Sequence, residues 1–297
     1  MNTTISNFQS FAASINLKIE FASENENEWY LNLFSYDGPS NREYLMYLYG
    51  ENQFDTVWEY EYHDCLTIGR KLLNPRDKVL ILGSGDLMNH RFLGKHDVDL
   101  VDIDPFMTDL AESNSIMLQL NKYISRPNYR IHNLDAVLFI EENREKISEY
   151  RYIVIDFPVM ISPIADEVKK FGLEKFFSKE MFSGLLLRNL STEGLITMQA
   201  DDTIVHREHK KYFEELLEWT GIFFHIYSIF FEESGLYQYF YMFTKNPDIF
   251  RYFRENIHSV TANPGLFRKD AYFTSLFELL EREEITYPEY TSILAGK

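Results

Sequence analysis

"KVLILGSGD", residues 78–86, is a continuous apolar run that ends in two glycines and an acid. A strand buried on both faces reads as such a run rather than as an alternation of apolar and polar residues. Gly83 and Gly85 then fall at a strand-to-helix turn, where missing side chains let a ligand approach the backbone and the helix N-terminus. Downstream, "VDLVDIDP" (98–105) is a second buried strand, "MTDLAESNSIMLQLN" (107–121) has helical spacing, and "YRIHNLDA" (129–136) is a third strand. The helix "AVLFIEENREKISEY" (136–150) leads to a fourth strand, "RYIVIDFP" (151–158), and "MFSGLLLRNLSTEG" (181–194) leads to a fifth, "LITMQAD" (195–201). Alternation with short connections predicts an α/β fold with a mainly parallel, doubly covered sheet.

Upstream of the run, "DCLTIGRKLL" (64–73) reads as a helix. Before it, "INLKIEF" (15–21) and "EWYLNLFSY" (28–36) are aromatic and branched runs separated by turn-forming residues, which suggests a small antiparallel β unit. The expected division is therefore an N-terminal β-strand domain over 1–61 and an α/β domain over 62–297, closed by a helical segment at 262–285.

Composition narrows the function. The chain has 297 residues and 45% hydrophobic content, enough for a sizeable core. Its 46 acidic and 29 basic residues leave a formal charge of −17, a field that repels nucleic acid and anionic membranes and suits a cationic substrate, although acidity also serves solubility. Cys65 is the only cysteine, so no thiolate metal cluster or internal disulfide is expected, and a reducing, cytoplasmic setting fits. The start "MNTTISNFQSFAAS" has neither a basic region nor a long apolar region and reads as no signal peptide. "GIFFHIYSIFF" (221–231) is too short for a membrane helix and reads as a buried strand.

In parallel sheets ligands bind outside the carboxyl ends of the strands. Acids stand at four successive strand ends: Asp86, Asp102, Asp135 and Asp156. Any one of them alone reads more readily as a turn or N-cap residue; all four together do not. Asp102 lies nineteen residues after Gly83, the distance at which an acid meets ribose hydroxyls in nucleotide-binding α/β folds. Asp135 is placed to accept from an exocyclic amine of adenine. Asp86, directly after the glycines, repels a pyrophosphate and welcomes a cation, which favours a sulfonium or amine ligand over a dinucleotide.

With those residues in view, the chain resembles the spermidine synthases, the polyamine aminopropyltransferases. "LYGENQFDTVWEYEYHDCL" (48–66) is similar to the string that leads into their catalytic domain, and "LGSGD", "VDID", "LDA", "IDFP", "FFSKEMF" and "MQAD" follow in family order across roughly residues 28–245. The resemblance implies an S-adenosylmethionine methyltransferase-like, Rossmann-like fold after a small β domain, and a homodimer. It also implies transfer of an aminopropyl group from decarboxylated S-adenosylmethionine to a small-molecule amine, without a metal. By position, Gln53, Gly83, Gly85, Asp102, Asp135 and Ala136 surround the nucleoside part of the donor and Asp86 holds the amine of its transferable chain. Tyr62, His63 and Asp156 line the acceptor side, with Asp156 and Tyr62 as the catalytic pair, Gln199 nearby, and "FFSKEMF" closing a loop that gates the site.

The match breaks mainly on the acceptor side. Val159 stands where the family places a second acid, three residues after the first. Trp58 replaces an Asp, Asp102 replaces a Glu, Leu87 and Met88 replace glycines, and "EESG" (232–235) replaces a Tyr-Pro-Ser-Gly turn, where Glu232 can return a carboxylate to the pocket. An acceptor different from, or less charged than, putrescine is expected. Two alternatives stay open: methyl or aminocarboxypropyl transfer from S-adenosylmethionine itself, which Asp86 disfavours by repelling its carboxylate, and a non-catalytic nucleoside- or polyamine-binding role.

Overall fold

A computed structural model describes residues 17–22, 28–35, 42–48, 51–55, 59–83, 85–93, 96–113, 129–157, 173–199, 206–218, 220–231, 236–257 and 259–261. Val159, Glu232, Trp58, the segment 262–285 and the second half of the helix expected at 107–121 lie outside these residues. The chain divides into two compact units, one of residues 1–60, 113–119 and 263–297, the other of 61–112 and 120–262.

In the first unit, β1 (Leu17–Ala22), β2 (Glu28–Ser35), β3 (Arg42–Leu48) and β4 (Glu51–Asp55) form a four-stranded antiparallel meander in chain order.

The second unit begins with helix α1 (Glu59–Leu66) and a 3-10 turn over Ile68–Leu72, followed by β5 (Lys78–Leu82), a short helix α2 (His90–Leu93) and β6 (Asp97–Asp102). Next come α3 (Pro105–Ser113), β7 (Tyr129–Asn133), α4 (Ala136–Glu142) and β8 (Tyr150–Ile155). A π-helical stretch (Lys179–Leu187), β9 (Leu195–Gln199), α5 (His206–Leu217), β10 (Phe223–Phe231), β11 (Leu236–Thr244), α6 (Pro247–Asn256) and β12 (Ser259–Thr261) complete it. The strands form one sheet in the order β12-β10-β11-β9-β8-β5-β6-β7. β5 to β9 are parallel, and β11 runs antiparallel to both β9 and β10. This is the S-adenosylmethionine methyltransferase-like arrangement, with the reversed strand β11 inserted before β10. "GIFFHIYSIFF" is one arm of that antiparallel hairpin.

The order has one topological switch point. From β5 the chain moves outward to β6 and β7, then returns to lay β8 on the opposite side of β5. In open α/β sheets a ligand crevice lies at such a switch point, here above the carboxyl ends of β5 and β8. The strands themselves are sealed: Val79, Leu80, Ile81 and Leu82 of β5 and Tyr152, Ile153, Val154 and Ile155 of β8 are all fully buried.

One expected helix is shorter than the sequence reading. α4 stops at Glu142, and "NREKISEY" forms turns and a short 3-10 helix at Ile147–Glu149. The amide of Asn143 donates to the Phe139 carbonyl and closes the last turn, an interaction that the apolar periodicity does not register. The segment "FFSKEMF", expected to close a gating loop, is itself anchored in the core, and residues 158–172 before it lie outside the described residues. Phe176, Phe177 and Phe182 are all buried, and Phe157 packs edge-on against Phe176 at 4.8 Å between ring centroids. Large aromatic surface is better removed from water than held in a mobile loop.

Buried hydroxyls anchor the C-terminal end of α1 to the sheet. Tyr152 Oη and Thr197 Oγ1 both donate to the Leu66 carbonyl, at 2.9 and 2.5 Å, and Tyr227 Oη donates to the Cys65 carbonyl at 3.0 Å. Thr67 Oγ1 donates to the His63 carbonyl at 2.6 Å. Helix ends leave carbonyls without helical partners, so three strands satisfying them fix where α1 sits. That places Tyr62 and His63, one turn earlier, over the switch point.

At the opposite edge, Asp99 accepts from Arg130, His132 and Tyr150 Oη at 2.8 to 2.9 Å. These donors outweigh burial and hold its carboxyl down to about 2 from 3.8. A depressed carboxyl stabilises the fold above its unfolded pKa and loses that contribution as pH falls through the folded one. The shift corresponds to at most about 2 kcal/mol, reduced because Arg130 is half exposed. Asp99→Asn is therefore expected to lower stability to urea at pH 7, with the gap to the parent closing between pH 4 and 2.

Candidate active site

Gly83 is the pivot of the crevice. Its φ is +73°, and a Cβ there would stand 2.6 Å from the Asp156 carbonyl oxygen and 2.7 Å from the Phe157 ring. Gly83 N donates to Val101 O and Asp156 N donates to Leu82 O, each at 2.8 Å, so the last rungs of the parallel ladder hold β5, β6 and β8 together at their ends. A Cβ on Gly85 would meet Met107 at 2.6 Å and Asp102 Cγ at 3.2 Å. Both glycines are thus required by close approach of backbone and side chains.

Asp86 follows, almost fully buried, with Oδ1 accepting from Met88 N at 3.0 Å. Oδ2 lies 3.8 Å from His63 Nε2. Leu87, where the family has glycine, holds φ at +63°, a conformation that costs a residue with a Cβ roughly 1–2 kcal/mol. Strain of this kind collects where the backbone must aim a side chain.

Asp102, at the end of β6, accepts from Asp104 N at 2.8 Å. Burial, together with the negative charges of Asp104 and Asp86, lifts its carboxyl to about 6 despite backbone donors from Asp104 and Gly85. A carboxylate poised in this way takes ribose hydroxyl donors readily. Asp135 is exposed and caps α4, its Oδ1 accepting from Val137 N at 2.7 Å and Leu138 N at 3.2 Å. Ala136 is the first residue of that helix. Gln53 lies on β4, in the other unit.

Asp156, just past the end of β8, is the most enclosed of the acids. Tyr62 Oη donates to its Oδ1 at 2.6 Å, and Asn89 Nδ2 donates to its Oδ2 at 2.5 Å. With its nitrogen turned toward these acceptors, the Gln199 amide donates to Tyr62 Oη at 2.6 Å, Asp156 Oδ1 at 3.1 Å and Phe157 O at 2.8 Å. Burial is the largest influence on Asp156 and raises its carboxyl to about 7, Asp86 adding to the rise while His63, Tyr62 and Asn89 oppose it. A carboxyl near 7 exchanges a proton at neutral pH, as a general base must.

The sequence-derived residues Tyr62, His63, Gly83, Gly85, Asp86, Asp102, Asp156 and Gln199 thus lie at or beside the switch point, Tyr62, Gln199 and Asp156 forming one hydrogen-bonded cluster. Two neighbours were not singled out from the sequence. Asn89 is fully buried and carries no motif signal. Ile103 is 68% exposed, a large branched side chain between Asp102 and Asp104 at the end of β6. An exposed isoleucine inside "DID" is the one sign that could have marked it.

The sheet order and the carboxylates at its switch point define a methyltransferase-like α/β protein. Residues 59–251 match the model of the spermine/spermidine synthase domain, and the chain belongs to that family. Polyamine aminopropyltransferase 1 of Streptomyces coelicolor is 32% identical over 160 residues, which cover 52% of this chain and 28% of that protein. Polyamine aminopropyltransferase 2 of Aquifex aeolicus is 31% identical over 174 residues, covering 56% of this chain and 32% of that one. The chain therefore spans about a third or less of the length of these relatives. Spermidine synthase from Thermotoga maritima shares the fold, with a TM-score of 0.57 at 16% identity over 87% of this chain and 88% of that structure.

Proposed function

We propose that the protein is an aminopropyltransferase: it moves an aminopropyl group from decarboxylated S-adenosylmethionine to a small-molecule amine. The observation that carries this reading is the pairing of Asp86 and Asp156 at the carboxyl ends of adjacent strands. One carboxylate suits the ammonium of the transferred chain, and the other, held near 7, suits the nucleophile.

In this reading Asp102 accepts from the ribose hydroxyls, Asp135 and Ala136 lie at the adenine end, and Ile103 offers the base an apolar face. The acceptor nitrogen gives a proton to Asp156, and its freed lone pair attacks the carbon beside the sulfonium. The new C–N bond forms as the C–S bond breaks, and methylthioadenosine leaves with the sulfur's positive charge neutralised. Tyr62 and Gln199 hold the carboxylate, so that positioning supplies much of the acceleration. A carboxylate beside an amine also favours the ammonium form, so Asp156 acts by orienting the nucleophile and receiving its proton rather than by lowering the amine's pKa.

Val159 in place of a second acid gives the acceptor side one fewer anchor, which favours an acceptor less charged than putrescine. We include in the proposal the division at residues 61 and 62, donor contacts from Gln53, acceptor contacts from His63 and Glu232, and a cytoplasmic homodimer without metal, nucleic acid or membrane partner. The formal charge of −17 and the single cysteine support that setting, and among the described residues no helix is long and apolar enough to cross a membrane.

The test is a mass-spectrometric assay of the full chain with decarboxylated S-adenosylmethionine and a panel of mono-, di- and polyamines. Methylthioadenosine and an aminopropylated amine are expected, with the preferred amine carrying less charge than putrescine. Calorimetry showing tighter binding of intact S-adenosylmethionine than of its decarboxylated form refutes the donor assignment; no product with any amine refutes transfer.

A further inference from the structure

Asn89 links two parts of the site that the strand-end pattern treats as separate. Its Nδ2 donates to Asp156 Oδ2 at 2.5 Å, and its Oδ1 lies 2.8 Å from His63 Nδ1. Because the amide nitrogen is directed to the carboxylate, the oxygen faces the ring, so a singly protonated His63 carries its hydrogen on Nδ1. The other ring nitrogen, Nε2, is the one 3.8 Å from Asp86.

The two oxygens of Asp156 are unequally engaged. Oδ1 takes Tyr62 and Gln199, whereas Oδ2 takes Asn89 alone among the described residues. We propose that Asn89 is a positioning residue that holds the Asp156 carboxylate so that Oδ2 keeps one lone pair for the acceptor ammonium and receives its proton. This rests on the aminopropyl-transfer reading. One N–H bond of the ammonium breaks, an O–H bond forms at Oδ2, and the nitrogen keeps the electron pair that attacks carbon.

An amide suits that place for two reasons. It does not titrate, so it does not compete for the proton, and it has no site to pass a proton from Asp156 on to His63. A serine or a second acid there would do one or the other. The groups that face Asp156 are Tyr62 and His63 from α1, Asp86 and Asn89 from the segment after β5, and Gln199 from the end of β9.

The test uses the full chain with Asn89→Leu, close in volume but without polar atoms, and Asn89→Asp, which keeps the shape and the acceptor toward His63 but adds like charge. Titration of Asp156 is followed by carbon NMR of labelled carboxyls without substrate, and kcat against pH is measured with substrate. Loss of one hydrogen bond to a charged group is expected to move the Asp156 titration and the acid limb of kcat upward by about one pH unit in Asn89→Leu. Asn89→Asp is expected to move both further, with KM for the donor unchanged in each. Unchanged titration in both folded variants overturns the inference even if the parent makes methylthioadenosine. A shifted titration in the variants of a parent that gives no product with any amine supports the role of Asn89 and refutes the transferase reading.

Discussion

Asp156→Asn is expected to lower kcat by about 10²–10⁴-fold, the range a positioned general base supplies, while binding of the donor is retained. The oxygen of the isosteric amide can still accept from Tyr62 and Gln199, while its nitrogen takes the place of Oδ2, so the proton acceptor and the bond from Asn89 are lost. The pH profile of the parent supplies a second arm of this prediction. Burial lifts the Asp156 carboxyl from 3.8 to about 7, so the carboxyl is protonated, and unable to act as a base, below that point. The kcat/KM of the parent is expected to fall with decreasing pH through about 7, tenfold per unit once well below it. A bound cationic acceptor favours the carboxylate and moves that limb down, so kcat/KM, which reports the free enzyme, falls at a higher pH than kcat. Residual turnover in Asp156→Asn equal to that of the parent would remove Asp156 from the chemistry, provided circular dichroism shows both folded.

Gly83→Ala is expected to be the most damaging single-methyl change to the fold. The substituted residue has to keep φ at +73°, which costs roughly 1–2 kcal/mol for any residue with a Cβ. In addition, the new methyl meets a backbone carbonyl at 2.6 Å and an aromatic carbon at 2.7 Å, neither of them the free end of a flexible chain. Crowding of that kind costs a further 1–3 kcal/mol. The sum, about 3 kcal/mol, corresponds to a drop in Tm of roughly 6–12 °C for a unit of this size. Because the carbonyl that gives way belongs to Asp156, activity is expected to fall more than stability predicts, and measuring kcat well below the Tm separates the two. A variant that melts with the parent would show that β8 can yield at its end without cost.

The runs at 78–82, 97–102 and 150–155 were legible because a strand buried on both faces is largely apolar along its length, and that is a local property; β7 (Tyr129–Asn133) carries no such run. Their order in the sheet was less so. Short connections imply parallel neighbours, but they do not say that β8 returns to the far side of β5. The length of α4 was misread because a side chain decided it: the helix ends at an amide-to-carbonyl bond from Asn143. The site divides in the same way. Gly83, Asp86, Asp102 and Asp156 could be picked out because each stands at the end of a strand that the pattern reveals.

By itself, then, the sequence determined that this is a layered α/β protein with a row of acids along the carboxyl edge of its sheet, since residue type and spacing along one chain suffice for that. Only the tertiary structure decided that Asp86 and Asp156, seventy residues apart, share one crevice, and that three buried hydroxyls clamp α1 so that Tyr62 reaches Asp156. It alone brought in Asn89, and it alone lifted the Asp156 carboxyl to about 7. The physical reason is the same in each case. Hydrogen bonds and desolvation act between groups that are distant in sequence, and their strength is set by burial and by tenths of an ångström, quantities that exist only after the sheet has closed around them.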